Sequence, residues 1–139
     1  MIVDTSALVA VWRDEAHAAE ILDALVTANT RVISAASLVE VYCVLDDRRD
    51  PAERRRLDRF LDELGVDVPP FTSRQADLAR QAYRDYGRGS GHSAALNFGD
   101  CFSYALAAER AEPLLFVGQD FTHTDIRPAW LPADNDRPD

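Results

Sequence analysis

The sequence contains no lysine, because all 15 of its basic residues are arginines. This absence excludes sites that depend on a lysine amine, such as a P-loop that binds nucleotide phosphates or an enzyme that forms a Schiff base. Only two cysteines are present, Cys43 and Cys101. They are not spaced as metal ligands or as a redox pair, and both lie in apolar helical patterns. We therefore predict two buried, unpaired thiols in a reducing compartment.

Long apolar runs and a leader segment are also missing. No apolar run approaches the ~20 residues that a membrane-spanning helix requires, and the chain enters an apolar strand at once, without a basic leader. The three histidines, at positions 17, 92 and 123, have no ligand pairing. No G-x-S-x-G sequence marks a serine-hydrolase elbow. The first two absences predict a cytoplasmic protein that does not enter a membrane. The others predict that it uses neither a Cys/His metal site nor a serine nucleophile.

The pattern of apolar residues indicates an α/β fold. The 139 residues, 47% of them hydrophobic, are enough for one domain with its own core. Helical periodicity fills the intervals between four short segments that are typical of strands: residues 2–4, 31–34, 66–68 and 114–117. Strands separated by helices pair in parallel through right-handed crossovers. We therefore predict a three-layer α/β/α sandwich with a parallel sheet over residues 1–139, with a frayed tail from about 128.

Residues that begin and end helices stand between these segments. Asp50 followed by Pro51 predicts the start of a helix, and Gly65 predicts its end. Thr72 opens a capping-box sequence for the next helix. Asn97 is suited to cap the last one.

Four acidic residues lie next to or within apolar segments, where an acid on the protein surface would not be expected. Each follows an apolar strand-like run or lies in the first turns of an apolar helix: Asp4, Glu40, Asp100 and Asp120. In alternating β/α folds, ligand sites collect at the carboxyl ends of the strands. Two carboxylates about 4 Å apart repel by roughly 4 kcal/mol at an effective dielectric near 20, so a cluster of four needs a counter-charge. Because the donors are all oxygen, Mg²⁺ or Mn²⁺ suits them, and such an ion can activate water for phosphodiester hydrolysis.

The same acids also have structural explanations. Asp4 and Asp100 are suited to cap a helix N-terminus or to complement its dipole, and Asp120 is suited to begin a turn. Glu40 is harder to explain in this way, because its neighbours along the helix are apolar and acids are rarely buried without a partner.

The net charge of −9 opposes long-range attraction of a polyanion. The arginines are unevenly distributed, however, since six of them fall between positions 48 and 59. This run is either a local basic patch or a solvated helix face whose arginines pair with neighbouring acids.

The four acids lie in segments that resemble the PIN-domain ribonucleases and, more closely, the VapC-type toxins of bacterial toxin–antitoxin pairs. The segments appear in the order and at the spacing of that family, and the resemblance covers nearly the whole chain. They are Met1-Ile2-Val3-Asp4-Thr5-Ser6-Ala7-Leu8, Ser37-Leu38-Val39-Glu40-Val41, Leu96-Asn97-Phe98-Gly99-Asp100-Cys101-Phe102-Ser103-Tyr104-Ala105-Leu106-Ala107 and Phe116-Val117-Gly118-Gln119-Asp120-Phe121.

This resemblance implies a PIN-like sheet of about five parallel strands and cleavage of RNA that depends on Mg²⁺ or Mn²⁺. It implies that Asp4 and Asp100 are the principal metal ligands. Glu40 would complete the cluster and orient water, and Asp120 would bind metal directly or through water. Three further residues would assist as accessory groups: Thr5, Ser6 and Asp125.

The resemblance also implies partners. A homodimer and a cognate VapB-type antitoxin are expected. Because the net charge is negative, RNA would be held by local arginines, for which the candidates are Arg48, Arg49, Arg55 and Arg88.

Two other functions remain compatible with the residues themselves. A metal-dependent phosphatase or phosphoacceptor domain would also place acids at strand ends, although no second acid stands at position 6 and no lysine is available to pair with a phosphoryl group. A non-enzymatic protein-binding module would use the acids only to attract a basic partner.

Overall fold

The computed structural model describes residues 1–46 and 49–133 of the chain. Within them, six helices lie between two short regular strands. The helices are α1 (Thr5–Trp12), α2 (Ala18–Thr27), α3 (Ala35–Leu45), α4 (Pro51–Leu64), α5 (Ser73–Tyr86) and α6 (Asp100–Arg110). The regular strands are β1 (Ile2–Val3) and β2 (Leu114–Leu115), and a short 3-10 helix spans Asp120–His123.

The predicted helix boundaries are confirmed where the sequence provides a cap. The carboxylate of Asp50 accepts the N–H of Ala52 at 2.8 Å before Pro51, and α4 ends at Gly65, whose φ of 60° lies in the left-handed region that glycine adopts without strain. The hydroxyl of Thr72 likewise accepts an N–H in the first turn of α5. These caps act within a few residues, which is why the sequence alone locates them.

The strands pair in parallel, as predicted. Ile2 lies beside Leu114 and Val3 beside Leu115. Isolated parallel bridges continue this pairing on both sides: Ile2 with Val32, Val32 with Asp67, and Leu114 with Pro128. β1 therefore lies in the middle of the sheet, between the Val32 segment and β2, and α1 begins just beyond its carboxyl end.

The number of regular strands is smaller than predicted. Among the described residues, two strands are regular, and the segments 31–34 and 66–68 each contribute a single bridging residue, Val32 and Asp67. The chain leaves the sheet early at both places. Ser34 becomes the N-cap of α3, and the residues after Val68 are two prolines, which have no N–H to donate to a neighbouring strand.

Side chains alternate between the two faces of this sheet, and helices cover both faces. One core cluster contains Ile2 and Leu114 with buried residues of α6, such as Leu106. The other contains the next residue of each strand, Val3 and Leu115, with residues of α1 and α2. Because successive side chains of a strand point to opposite faces, both faces must be apolar, which explains the apolar runs in the sequence.

Two details differ from the sequence-based expectations. Cys101 is buried, but Cys43 is exposed because α3 turns toward solvent the face that carries it together with Val39. The chain also stays in the fold beyond Pro128, since the N–H of Ala129 donates to the carbonyl of Leu114 at 2.8 Å and the next residue packs on the core. The last part of the predicted tail, residues 134–139, lies outside the described residues.

Across those described ranges, none of the helices combines the length and the apolar character that a membrane span requires.

Candidate active site

Asp4 lies where β1 ends and α1 begins, and it is only 5% exposed. Its backbone N–H continues the sheet by donating to the carbonyl of Leu115 at 2.9 Å. Its Oδ2 accepts the N–H of Ser6 at 2.9 Å and the hydroxyl of Ser6 at 2.6 Å, and its Oδ1 accepts the hydroxyl of Ser103 at 2.5 Å. Asp4 is therefore the N-cap of α1 and also a carboxylate held at the open end of the sheet.

Glu40 projects from α3 toward Asp4 and is half-buried. The hydroxyl of Thr5 lies 3.3 Å from Oε2 of Glu40 and 3.2 Å from the carbonyl of Ser37. Burial raises the pKa of Glu40 above its ordinary value, and the charge of Asp4 raises it further, whereas the Thr5 hydrogen bond lowers it. The Glu40 carboxyl group therefore holds its proton more tightly than an exposed glutamate does.

Gly99 allows Glu40 to come this close. A Cβ added at position 99 would lie 2.8 Å from Cδ of Glu40. The backbone of Gly99 has ordinary helical angles, with φ −66° and ψ −39°. The absence of a side chain at Gly99 leaves space for the Glu40 carboxylate, and the backbone conformation does not itself require glycine.

Asp100 is fixed by a reciprocal pair of hydrogen bonds with Asn97. The backbone N–H of Asp100 donates to the side-chain oxygen of Asn97 at 2.9 Å, and Oδ2 of Asp100 accepts the backbone N–H of Asn97 at 2.7 Å. This is the geometry of a capping box, which Asn97 forms one turn ahead of α6, whereas the N-cap residue of the regular helix is Gly99. The regular helix begins at Asp100, after one turn.

The pKa of Asp100 is raised from its ordinary 3.8 to about 7. Burial is the largest cause, and the charges of Asp4, Asp120 and Glu40 add to it, whereas the hydrogen bond from Asn97 opposes it. The other three carboxylates therefore lie within electrostatic range of Asp100.

Asp120 begins the 3-10 helix and is exposed. It follows Gly118, whose φ of 104° turns the chain sharply after the strand segment. This turn places Asp120 at the mouth of the site, where its negative charge helps to raise the pKa of Asp100.

All four acids line one cleft of about 240 Å³. The cleft contains both hydroxyl residues expected there, Thr5 and Ser6, while Phe121 supplies part of its apolar wall. A larger groove of about 330 Å³ lies between α5 and α6, but its lining is mostly apolar, includes Arg80 and carries no carboxylate. The acidic cleft is therefore the place where the structure gathers groups capable of chemistry.

The donor set of this cleft fits a hard divalent ion. Within residues 1–46 and 49–133, no three acidic, histidine or cysteine side chains are arranged to hold a metal ion together. Mg²⁺ does not need such a cage, because it is usually bound through one or two carboxylates and keeps several waters. Burial, with the added repulsion of the neighbouring carboxylates, raises the pKa of Asp100 to about 7, so a nearby positive charge would stabilise the ionised oxygen donors. The acids present therefore suit Mg²⁺ or Mn²⁺ by their chemistry.

The structure does not bring every predicted residue into the cleft. Asp125 is directed elsewhere, because its carboxylate accepts the hydroxyl of Tyr104 at 2.7 Å, and it does not line the cleft. The expected accessory role of Asp125 is therefore not supported. Arg55 on α4 and Arg88 after α5 are exposed and also lie outside the lining. Arg49 is exposed, and Arg48 lies outside the described residues.

Two buried serines that the sequence did not mark as site residues lie beneath the acids: Ser103 donates to Asp4, and Ser37 contacts Ser103. Ser103 and Ser37 are both 0% exposed, and their hydroxyl oxygens are 3.2 Å apart. The local signal was their spacing: Ser37 stands three residues before Glu40, and Ser103 three residues after Asp100. On a helix, residues three apart share a face, so a serine at this spacing follows its acid toward the same site.

Comparison with known proteins agrees with this geometry. The PIN domain family matches residues 1–127. Ribonuclease VapC28 of Mycobacterium tuberculosis is 57% identical over 129 residues, which cover 93% of this chain and 97% of that protein. Ribonuclease VapC42 of the same organism is 52% identical over 129 residues, which cover 93% of this chain and 98% of that protein.

Solved structures agree at the level of the fold. A toxin–antitoxin complex from Klebsiella pneumoniae contains a chain that matches with a TM-score of 0.70 at 16% identity, covering 93% of this chain and 97% of that one. The chain described here belongs to the PIN domain family and, within it, to the VapC ribonucleases.

Proposed function

We propose that this protein is an endoribonuclease, the toxin of a toxin–antitoxin pair, which hydrolyses phosphodiester bonds of RNA with the help of Mg²⁺ or Mn²⁺. One observation carries the proposal: Asp4, Glu40, Asp100 and Asp120 line a single cleft in a chain that is 57% identical to a ribonuclease. The alternatives, a phosphatase or phosphoacceptor domain and an acidic binding module, have no comparable support.

Within the cleft, Asp4 and Asp100 would hold the ion, and Asp120, at the exposed mouth, would bind it directly or through water. The ion, when bound, would position a phosphodiester oxygen and activate a water molecule for in-line attack. Thr5 and Ser6 keep Glu40 and Asp4 in place through the hydrogen bonds at 3.3 Å and 2.6 Å.

Glu40 would orient the attacking water and accept its proton. A general base works best when its pKa lies near the operating pH. Burial and the charge of Asp4 move the pKa of Glu40 upward, in that direction. Gly99 assists by leaving room for the carboxylate beside α6.

The fold of the proposed nuclease is a single domain, a three-layer α/β/α sandwich with five parallel sheet segments. The series of bridges from Asp67 through Val32, Ile2 and Leu114 to Pro128 supports this, because each link is parallel and each segment contacts the next. Short segments are sufficient here, since helices cover both faces.

RNA and proteins are the proposed partners in the cytoplasm. An acidic protein must hold RNA through local positive charge, for which exposed Arg55 and Arg88 are candidates, together with Arg48 and Arg49. The similar Klebsiella pneumoniae chain was solved in a toxin–antitoxin complex. By analogy, this protein would bind a VapB-type antitoxin and form a homodimer.

The experiment is an RNA cleavage assay with the purified full chain in Mg²⁺ or EDTA, using the Asp100→Asn variant. This variant keeps a side-chain oxygen for the Asn97 hydrogen bond, so it should fold. We expect Mg²⁺-dependent cleavage to fall by more than about 100-fold, because even groups that only support a metal ligand are worth about 10–100-fold.

Asp23→Asn, an exposed substitution on α2, is the matched control and should cleave as the wild type does. Full activity of the Asp100→Asn variant, or equal cleavage by the wild type in EDTA, would contradict the mechanism. Turnover of a small phosphoester without cleavage of RNA would support the phosphatase alternative.

A further inference from the structure

A chain of buried hydroxyl groups crosses the fold beneath the acidic cleft. Ser37 on α3 and Ser103 on α6 are completely buried, and their hydroxyl oxygens are 3.2 Å apart. The hydroxyl of Ser103 then reaches Oδ1 of Asp4, at 2.5 Å. Three elements that are distant in sequence therefore meet at one carboxylate.

The direction of these hydrogen bonds follows from the chemistry of the groups. An ionised carboxylate only accepts hydrogen bonds, so Ser103 must donate its hydroxyl proton to Asp4. The Ser103 oxygen is then an acceptor toward its other neighbour, and Ser37 must be the donor. Such a chain strengthens the last hydrogen bond, because each hydroxyl polarises the next where burial lowers the local dielectric.

Most of the lone-pair positions of the Asp4 carboxylate already accept hydrogen bonds. A carboxylate has about four lone-pair positions, two on each oxygen. Oδ2 receives two donors, the N–H and the hydroxyl of Ser6. Oδ1 receives one, the hydroxyl of Ser103. Among the residues that the structure describes, none donates to the remaining position on Oδ1.

We propose that Ser103, supported by Ser37, is a positioning residue that limits Asp4 to binding a metal ion through a single lone pair of Oδ1, and thereby favours Mg²⁺ over Ca²⁺. Mg²⁺ requires a compact octahedral shell, in which a fixed one-oxygen contact fits well. Ca²⁺ takes six to eight oxygens and also accepts both oxygens of one carboxylate. This inference rests on the proposed function, because it requires a divalent ion in the cleft.

The test measures Mg²⁺ and Ca²⁺ binding by calorimetry with the full chain, without RNA. In Ser103→Ala, Mg²⁺ affinity should fall by roughly 10-fold, as is typical when a group that orients a ligand is removed. Ca²⁺ affinity should fall less, so the ratio of Mg²⁺ to Ca²⁺ affinity decreases. Ser103→Thr keeps the hydroxyl and should restore the ratio. Ser93→Ala, at an exposed serine of the loop before α6, is the matched control.

Ser37→Ala provides a second, milder variant, because it removes only the supporting donor. It should lower the ratio in the same direction by a smaller amount. If Mg²⁺ binds the wild type but both alanine variants keep its Mg²⁺ to Ca²⁺ ratio, with only a lower melting temperature, the serines are structural and the inference is overturned. If the wild type itself binds neither ion, the metal-dependent function fails as well, which separates the two failures.

Discussion

The charge of Asp100 makes the stability of the metal-free protein depend on pH in a defined direction. Its pKa is raised from 3.8 to about 7, first by burial and then by the neighbouring carboxylates. Below about pH 3.8, Asp100 is protonated in both the folded and the unfolded chain. Between these values the unfolded chain loses the proton and the folded chain keeps it, so stability falls as the pH rises and levels off above about 7.

The magnitude follows from the size of this shift. A difference of about three pH units corresponds to a ceiling of about 4 kcal/mol at 1.36 kcal/mol per unit. Asp100 is partly exposed, so solvent screens the cost, and we expect about 2 kcal/mol between pH 4 and pH 8. In a domain of this size that is roughly 6 °C in melting temperature.

Asp100→Asn removes the ionisable group and keeps an oxygen for the Asn97 N–H. In EDTA at pH 8 the variant should therefore be about 2 kcal/mol more stable than the wild type, and the two should converge toward pH 4. Urea or thermal unfolding across this range measures the difference. Asp77→Asn, at an exposed position of α5, should not change the profile. Parallel pH profiles of the wild type and Asp100→Asn would refute the assignment of a raised pKa.

Two further substitutions test the geometry around the cleft. Gly99→Ala should leave the helical turn intact, or stabilise it by up to about 1 kcal/mol, because its backbone angles suit alanine. Its Cβ would collide with the Glu40 carboxylate, so single-turnover RNA cleavage should fall by about 10-fold or more, and unchanged cleavage would contradict the close approach. Asp125→Asn should weaken the hydrogen bond with Tyr104 and lower the free energy of unfolding by about 1 kcal/mol, measured in urea. The rate of RNA cleavage should stay near that of the wild type. A large loss of activity would show that Asp125 takes part in cleavage after all.

Much of the local structure was predictable because its causes act over a few residues. Asp50 and Thr72 begin helices through hydrogen bonds to N–H groups two or three residues ahead. The apolar runs at residues 2–4 and 114–117 indicated buried parallel segments, although regular strands cover only part of them. The extent of each strand depended on where neighbouring segments leave the sheet, as they do at Ser34 and after Val68.

The sequence predicted the chemistry of the candidate site better than it predicted which residues line the cleft. Asp4 follows a strand and Asp100 lies beside a capping asparagine, so both positions were visible in the sequence. Asp125 has an equally suggestive local sequence, yet it faces Tyr104. The sequence could not distinguish these cases, because the difference lies in which distant element each side chain meets.

The amino-acid sequence by itself determined the donor chemistry, namely four carboxylates and no lysine or paired histidine, and it determined the helix starts, because caps and periodic patterns depend on near neighbours. Only the tertiary structure decided how those carboxylates are held. The hydrogen bond from Ser103 to Asp4 joins residues 99 positions apart, and that from Thr5 to Glu40 joins residues 35 apart. Burial, raised pKa values and the free lone pair of Asp4 all arise from such contacts, which form only when the helices pack against the sheet.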